Sequence, residues 1–376
     1  MYDVKFGDCF QLTGNLFPEG LVVDFGSMYN LGRRFDDIIT DFHYTKPDKL
    51  LLSHYHIDHL SGLLYMMASG YYYQFNEILI PDIFSTRGLN RAIVLLYLEE
   101  FLNSCILPQR GRGRRYTLLE FVTYLCVHPM KITLLKRGDK FHSSIDTCTV
   151  LWPDEKYIVN YADAVLRQFD ISNDALQELI NASESLANIV LSLTTARENT
   201  IGGSYQEILL TIRRQLDGVF EEYNFLDQLL NHKIELKKFA HSINLVFHNS
   251  IDGNRENFLF TGDIETGAMK QIEANPSKIP ELNLHKQYEY IKIPHHGTSN
   301  HFYDYTSHSP TNILISNGRC RKSSYMITND YFNLYSINSK IYCSNCNWCK
   351  QRAIPPLVCD CTNRSIIWPD IKKYIP

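Results

Sequence analysis

No stretch of this 376-residue chain stays apolar for the length that a bilayer-spanning helix needs, which excludes such a helix on sequence grounds. Positive charge is not in excess either. Thirty-seven lysines and arginines stand against 41 aspartates and glutamates, a formal net charge of −4. No global field therefore draws the chain to nucleic acid or to an anionic membrane. Internal repeats and low-complexity tracts are lacking, which excludes a repeat architecture. The opening segment, MYDVKFGDCFQL, carries an aspartate where a secretory signal peptide keeps basic and then apolar residues. Together these absences predict a soluble, cytoplasmic protein with no membrane partner.

What is present is an ordinary globular composition, 44% hydrophobic and 21% charged, enough for one large domain or two small ones. Ten cysteines occur. Cys9, Cys105, Cys126, Cys148 and Cys320 are scattered, whereas Cys343, Cys346, Cys349, Cys359 and Cys361 cluster. In an intracellular protein such clustering points to metal before disulfides. The CxxC spacing of CSNCNWC, followed by VCDC, predicts a zinc knuckle over 340–376 with one structural Zn2+. The competing reading makes them small residues buried in the last strands.

The chain alternates in character. VKFGDCFQL, GLVVDFG and DKLLLS read as short strands, and SGLLYMMASG as a short helix after a turn. FNEILIP returns to strand. Residues 86 to 128 hold two apolar helices, GLNRAIVLLYLEEFLNSC and TLLEFVTYLCV, around the basic loop QRGRGRRY. MKITLLKRGDKF and DTCTVLWP are strands again. Residues 160 to 238 read as a helical hairpin. Ser172 or Asn173 caps its first helix, and Ile208, Ile212, Leu216, Val219 and Phe220 mark the stripe of its second. The hairpin is either a packing cover or a surface for a protein partner, and amphipathic helices favour the first. INLVFHN, NFLFTGD, YEYIKIPHHG, TNILISNG and SKIYC complete the strands. The order of strands, helices and strands predicts an α/β domain over 1–345 with helical insertions at about 86–128 and 160–238.

The segment LLSHYHIDHLSG, Leu51 to Gly62, places His54, His56, Asp58 and His59 directly behind an apolar strand. Along extended backbone His54 and His56 point to one side. Asp58 and His59 come where the chain turns. Three imidazoles and a carboxylate this close carry a large desolvation cost, and they repel on protonation, unless a cation organises them. Imidazole with carboxylate suits zinc first and manganese second. Asp263, in FLFTGDIE, closes another apolar strand after a glycine. His295 and His296, in IKIPHHGTSNH, stand at the mouth of a third, and His241 precedes INLVF.

SHYHIDH resembles the HxHxDH signature of the metallo-β-lactamase fold hydrolases. FGDCFQL, VVDFGS, ITLLKRGDKF, TVLWP, NLVF, NFLFTGDIE and IKIPHHGTSNH are similar to the hydrolase domain of bacterial DNA-uptake (ComEC-like) competence proteins and their soluble relatives. The resemblance covers about residues 1–84, 130–155 and 241–345. It implies an αββα sandwich: two sheets face to face, helices outside, a binuclear metal site at one edge. It implies that His54 and His56 bind one divalent cation, that Asp58 and His59 bind the second, and that Asp263 bridges them. One of His295 and His296 would add a ligand, and so would His241, at a position where relatives carry either histidine or asparagine. Asp58 and His296 would act on the reacting groups, and His296, His301 or Lys292 would serve the leaving oxygen. The chain departs from the branch in SNGRCRKSSYMITND, which lacks the late histidine that relatives carry.

In such a site two cations about 3.5–4 Å apart lower the pKa of a shared water to near neutrality, and the hydroxide attacks phosphorus or a carbonyl carbon. The fold alone does not choose a substrate. The branch favours phosphodiesters, which makes the chain a nuclease or phosphodiesterase in DNA processing or defence. Arg110, Arg112, Arg114 and Arg115 of the basic loop would then contact phosphates of a nucleic-acid substrate. The alternatives are a hydrolase of small phosphodiesters or esters (a phosphocholine ester, a cyclic nucleotide, a lactone) and a catalytically silent scaffold.

Overall fold

The computed structural model describes residues 1–2, 4–13, 17–29, 31–106, 116–142, 147–195, 204–223, 225–249, 257–317, 327–335 and 339–344. Arg110, Arg112, Arg114, Arg115, Cys346, Cys349, Cys359 and Cys361 lie outside the described residues. The chain is a mixed α/β protein that divides into two compact units. The first comprises Met1–Pro81, Leu135–Trp152 and Asn244–Pro376; the second comprises Asp82–Leu134 and Pro153–Ile243. The helical segments expected at 86–128 and 160–238 fall within the two pieces of the second unit, which join as one body.

The strands are β1 (Phe10–Leu12), β2 (Leu21–Val23), β3 (Lys49–Leu51), β4 (Glu77–Pro81), β5 (Lys131–Leu135), β6 (Lys140–His142), β7 (Thr147–Trp152), β8 (Val246–Asn249), β9 (Phe258–Phe260), β10 (Tyr290–Lys292), β11 (Asn312–Ile315) and β12 (Lys340–Cys343). β5 straddles the chain boundary between the units. Within the first unit one sheet runs β1-β2-β3-β4, antiparallel at β1 and parallel beyond. The other runs β12-β11-β10-β9-β8-β7-β6, parallel from β12 to β9 and antiparallel from β9 to β6.

Parallel neighbours need crossovers. Helices Arg33–Thr45, Ile57–Ser69, Thr266–Ala274 and Asn329–Tyr335 supply them after β2, β3, β9 and β11. Alternate residues of both sheets feed one core: Phe10, Val23, Leu51 and Leu79 from the first, Val150, Phe247, Phe258, Phe260, Leu314 and Tyr342 from the second. Phe10 meets Phe260 edge-on at 5.4 Å between ring centroids. The intervening residues Val22, Leu50, Ile78, Leu259, Ile291, Ile313 and Ile341 are buried as well. Both faces of each sheet are therefore covered, as parallel strands require.

In the second unit, helix Asn90–Ile106 is buried on every side from Ala92 to Leu102. That explains why no clean polar stripe shows in its sequence. Glu100 Oε1 accepts the backbone N–H of Leu118 at 2.8 Å and so caps helix Thr117–Val127. Helices Asn173–Thr195 and Ser204–Glu222 form the expected hairpin, and Ser172 Oγ accepts from Ala175 N at 3.2 Å as its N-cap. One expected core position shifts. Ile208 is 40% exposed and Leu209 is 4% exposed, so the stripe starts one residue later. Both positions fit a helical spacing to Ile212, which is why periodicity alone picks the wrong one. No helix of the described residues is long and apolar enough to cross a membrane.

Candidate metal centre

Within each sheet, parallel register aligns the carboxyl ends of the strands, β2 with β3 in one and β9, β10 and β11 in the other. Val23 pairs with Leu51, Phe260 with Lys292, and Lys292 with Leu314. The next residues of each strand lie at one edge of the unit, where open α/β sheets place their sites. Asp24 follows β2, His54 follows β3, Asp263 follows β9, and His295 and His296 follow β10. Asp8 enters from the residues before β1.

The helix after β3 starts at Ile57, earlier than the expected SGLLYMMASG. Asp58 and His59 thus occupy its first turn, where the exposed N–H groups and the helix dipole favour a carboxylate. Two glycines let other chain segments close on this turn. A Cβ at Gly26 would lie 2.5 Å from the carbonyl carbons of Asp58 and His59. Phe25 N–H donates to His59 O at 2.8 Å, and Asp8 N–H donates to Asp58 O at 3.2 Å. Gly262, at φ 49°, turns the chain beneath Asn244. Asn244 clamps that turn: its Oδ1 accepts from Asp263 N at 2.9 Å, and its Nδ2 donates to Thr261 O at 2.7 Å.

His59 is fully buried. Its Nδ1 faces Asp24 Oδ2 at 2.9 Å, and Asp24 is itself held by Ser53 N at 2.7 Å and Ser53 Oγ at 2.8 Å. With Nδ1–H given to Asp24, Nε2 is the nitrogen left to take a further proton or, in the neutral ring, to offer its lone pair. Nε2 points at Asp263 Oδ2, 3.3 Å away, and neither atom makes a hydrogen bond. In the neutral ring these are two buried acceptors aimed at one another, a costly arrangement that a proton or a metal cation within their reach relieves. A carboxylate behind one nitrogen of an imidazole is the usual support of a metal-binding histidine.

His296 joins the same group. Its Nε2 is 3.2 Å from Asp58 Oδ2 and 3.7 Å from Asp263 Oδ2, while its Nδ1 donates to Ser316 O at 2.7 Å. One ligand atom from each of Asp58, His59, Asp263 and His296 lies within 4.8 Å of the others. His295 Nε2 reaches Asp263 Oδ2 at 3.7 Å, and its Nδ1 pairs with Thr298 Oγ1 at 2.8 Å. His54 Nε2 and His56 Nδ1 are 3.0 Å apart, as the extended spacing predicts. His301 packs on His295 with ring centroids 4.0 Å apart. His241 belongs to the second unit, in the last turn of helix Lys233–Ser242, and is buried. Cys343 is buried in β12.

The backbone is strained where it serves the site. Asp24, His295 and His296 have φ of 57°, 43° and 57°, a region non-glycine residues avoid and that persists only when surroundings impose it. Asn317 Nδ2 donates to His296 O at 2.8 Å and holds that loop in place.

Electrostatics agree with the geometry. Four buried carboxylates, Asp8, Asp24, Asp58 and Asp263, converge with one buried ammonium, Lys292. Burial works against His59 becoming charged, yet Asp263, Asp24 and Asp58 outweigh it and lift its pKa well above the usual value. Burial likewise opposes charge on His296, but Asp263 and Asp8 raise its pKa to about 10. Burial alone would raise the Asp263 carboxyl; His59, His296, His295 and Lys292 pull it well below the carboxylate range. The site stabilises positive charge wherever it is placed, as protons or as metal. His54 goes the other way. Burial and the neighbouring His59 and His56 hold its pKa well down, so its ring is neutral, the form that binds metal.

Asp8, Asp24 and Asn244 are absent from the sequence-based site. Asp24 carries a readable signal, because LVVD repeats the pattern of FLFTGD, an aspartate at the mouth of an apolar strand. Lys292, expected to serve a leaving group, is turned inward: Nζ donates to Gly262 O at 2.6 Å and lies 2.6 Å from Asp8 Oδ2. Neither a family model nor a curated protein matches this sequence.

Proposed function

We propose that the chain is a metal-dependent hydrolase of the metallo-β-lactamase fold, resembling the soluble ComEC-like branch, with phosphodiesters of nucleic acid as its substrate class. The observation that carries the metal reading is the pair of buried, unsatisfied atoms His59 Nε2 and Asp263 Oδ2, 3.3 Å apart, with His59 fixed from behind by Asp24. The shared core of the two sheets, with both faces of each covered, supports the αββα arrangement. The phosphodiester preference rests on the resemblance.

The donor set fits divalent cations, zinc or manganese. Asp58, His59, Asp263 and His296 would hold one, and His54 and His56, with ring nitrogens 3.0 Å apart, would supply imidazoles for another. Cations there would supply Lewis-acid activation of a water and of the centre it attacks. The chain's own residues do the rest. Asp24 fixes the tautomer and direction of His59. Asn244 fixes Asp263. Asp58, at 5% exposure, is the carboxylate of the cluster with most access to solvent and orients the attacking water. The carboxylate-rich floor repels an anionic ester, so a phosphodiester enters only when cations offset that charge.

Elemental analysis of the purified chain should show close to two transition-metal ions per site. Plasmid, linear and single-stranded substrates incubated with zinc or manganese should be cleaved, and a chelator should stop the reaction. A chain that takes up neither metal overturns the reading. Cleavage of small phosphodiesters alone would replace the nucleic-acid substrate with a small one.

A further inference from the structure

Lys292 is 1% exposed, an uncommon place for an ammonium. It is not idle there. Nζ donates to Gly262 O at 2.6 Å, lies 2.6 Å from Asp8 Oδ2, and lies 3.5 Å from Asp263 Oδ1. Those contacts occupy one side of the Asp263 carboxylate. The other oxygen, Oδ2, faces His59, His295 and His296 at 3.3, 3.7 and 3.7 Å. Beneath Lys292 the space between Phe10, Phe247, Phe260 and Asp8 has no room for a water molecule. No solvent can take over the ammonium's role from below.

We propose that Lys292 is a positioning residue: a built-in cation that engages Oδ1 of Asp263, so that this carboxylate offers its partners Oδ2 alone. The inference rests on the metal reading above. Lysine suits this task because its charge sits at a point on a stem that reaches from β10 across the floor. Asp8 is the second half of the device. It balances the charge and pins Nζ, and its other oxygen lies 3.3 Å from His296 Nδ1. One ammonium thereby sets both the carboxylate and, through Asp8, the imidazole beside it. Without Lys292, Asp263 is free to rotate and present both oxygens, which changes the coordination number of any ion it holds.

The test uses the full chain and cobalt(II), whose visible absorption reports coordination number. Lys292→Met alone leaves Asp8 buried without its partner and is expected to lose stability. Lys292→Met with Asp8→Asn removes both charges and keeps the volumes. The double variant should fold, judged by circular dichroism and melting. It should show a weakened and shifted cobalt band, and zinc affinity about 10- to 100-fold below wild type. A folded double variant with a wild-type cobalt spectrum and affinity overturns the proposal. So does a double variant that cannot fold, since Lys292 would then serve the fold rather than the carboxylate. If the wild type itself binds no cobalt or zinc, the metal reading fails and takes this proposal with it, a result distinct from the other two.

Discussion

His59 stands between two aspartates, Asp24 at 2.9 Å from Nδ1 and Asp263 at 3.3 Å from Nε2. The first contact is a hydrogen bond and the second is not. One ring therefore has an anchored side and an open side, and the open side faces a carboxylate oxygen, Asp263 Oδ2, that also lacks a donor.

Asp24 should accordingly act on metal binding without touching metal. Asp24→Asn keeps the shape and the bonds that Ser53 can rearrange to make, but it weakens the negative charge behind the imidazole. Zinc affinity, measured by competition with a chromophoric chelator, should fall by about 10- to 100-fold. His59→Ala should lose more. A folded Asp24→Asn chain with wild-type affinity would remove Asp24 from the site.

Asp58 and Asp263 should differ in kind. Asp58→Ala takes one ligand from the group around His59 and His296 and leaves His54 and His56 facing each other at 3.0 Å. It should lose part of its metal and nearly all phosphodiester turnover. Asp263→Ala removes the carboxylate that faces His59, His295 and His296 together, so metal loss should be broader. Both variants should stay folded, because Asp58 lies in the first turn of helix Ile57–Ser69 and Asp263 at a strand end, outside the apolar core. Full turnover in Asp58→Ala would defeat the hydrolytic mechanism even with the fold unchanged.

Much of this was legible in the sequence, for a reason particular to the fold. Each strand that feeds the cluster is a short apolar run that ends on a histidine or an aspartate of it, as in LLLSH, FLFTGD and YIKIPHH. Locating the runs locates the clustered histidines and aspartates. Asn244 and Asp8 were not legible, because they act through backbone groups and Lys292 rather than by clustering in the chain. The early start of helix Ile57–Ser69 was hidden as well, since Asp58 and His59 are poor helix formers and only Asp58 gains from its place in the first turn. Nor does composition show that two helical segments separated by β6 and β7 make one unit. That depends on contacts such as the stacked pair Phe101 and Phe220, 4.2 Å between centroids and far apart in sequence.

A buried histidine away from the cluster sets an acid limit. His248 Nε2 donates to Glu281 O at 2.8 Å, and its Nδ1 accepts from Tyr288 Oη at 2.8 Å. Burial, with His285 stacked on it at 4.0 Å, lowers its pKa from 6.5 to about 3. The folded chain keeps His248 neutral, while the unfolded chain protonates it below about 6.5. The unfolded state therefore binds the extra proton between pH 6.5 and 3. Stability falls as pH drops through that window and is unaffected by this group above it. The slope from this residue should approach about 1.4 kcal/mol per pH unit. Urea midpoints measured from pH 7.5 to 4.5 should decline more steeply in wild type than in His248→Asn. Parallel declines would assign the acid sensitivity elsewhere.

Gly26 tests whether the turn that carries Asp58 and His59 must be approached this closely. An alanine Cβ at Gly26 would lie 2.5 Å from two backbone carbons, which cannot move as a side-chain tip can. Either the Asp24–Gly26 segment or the first turn of helix Ile57–Ser69 must shift. The first shift breaks the bond from Phe25 N to His59 O, and the second turns His59 away from Asp24. Gly26→Ala should cost about 1–3 kcal/mol, in the range of overpacked interiors, and lower zinc affinity as well. Gly267, exposed in helix Thr266–Ala274 with nothing within 4 Å of its Cβ position, is the control in the same unit. Gly267→Ala, in the first turn of the helix rather than its interior, should change stability by no more than about 0.5 kcal/mol and leave zinc affinity unchanged. If Gly26→Ala melts and binds zinc as wild type does, the close approach is incidental and the positioning of His59 comes from Asp24 alone.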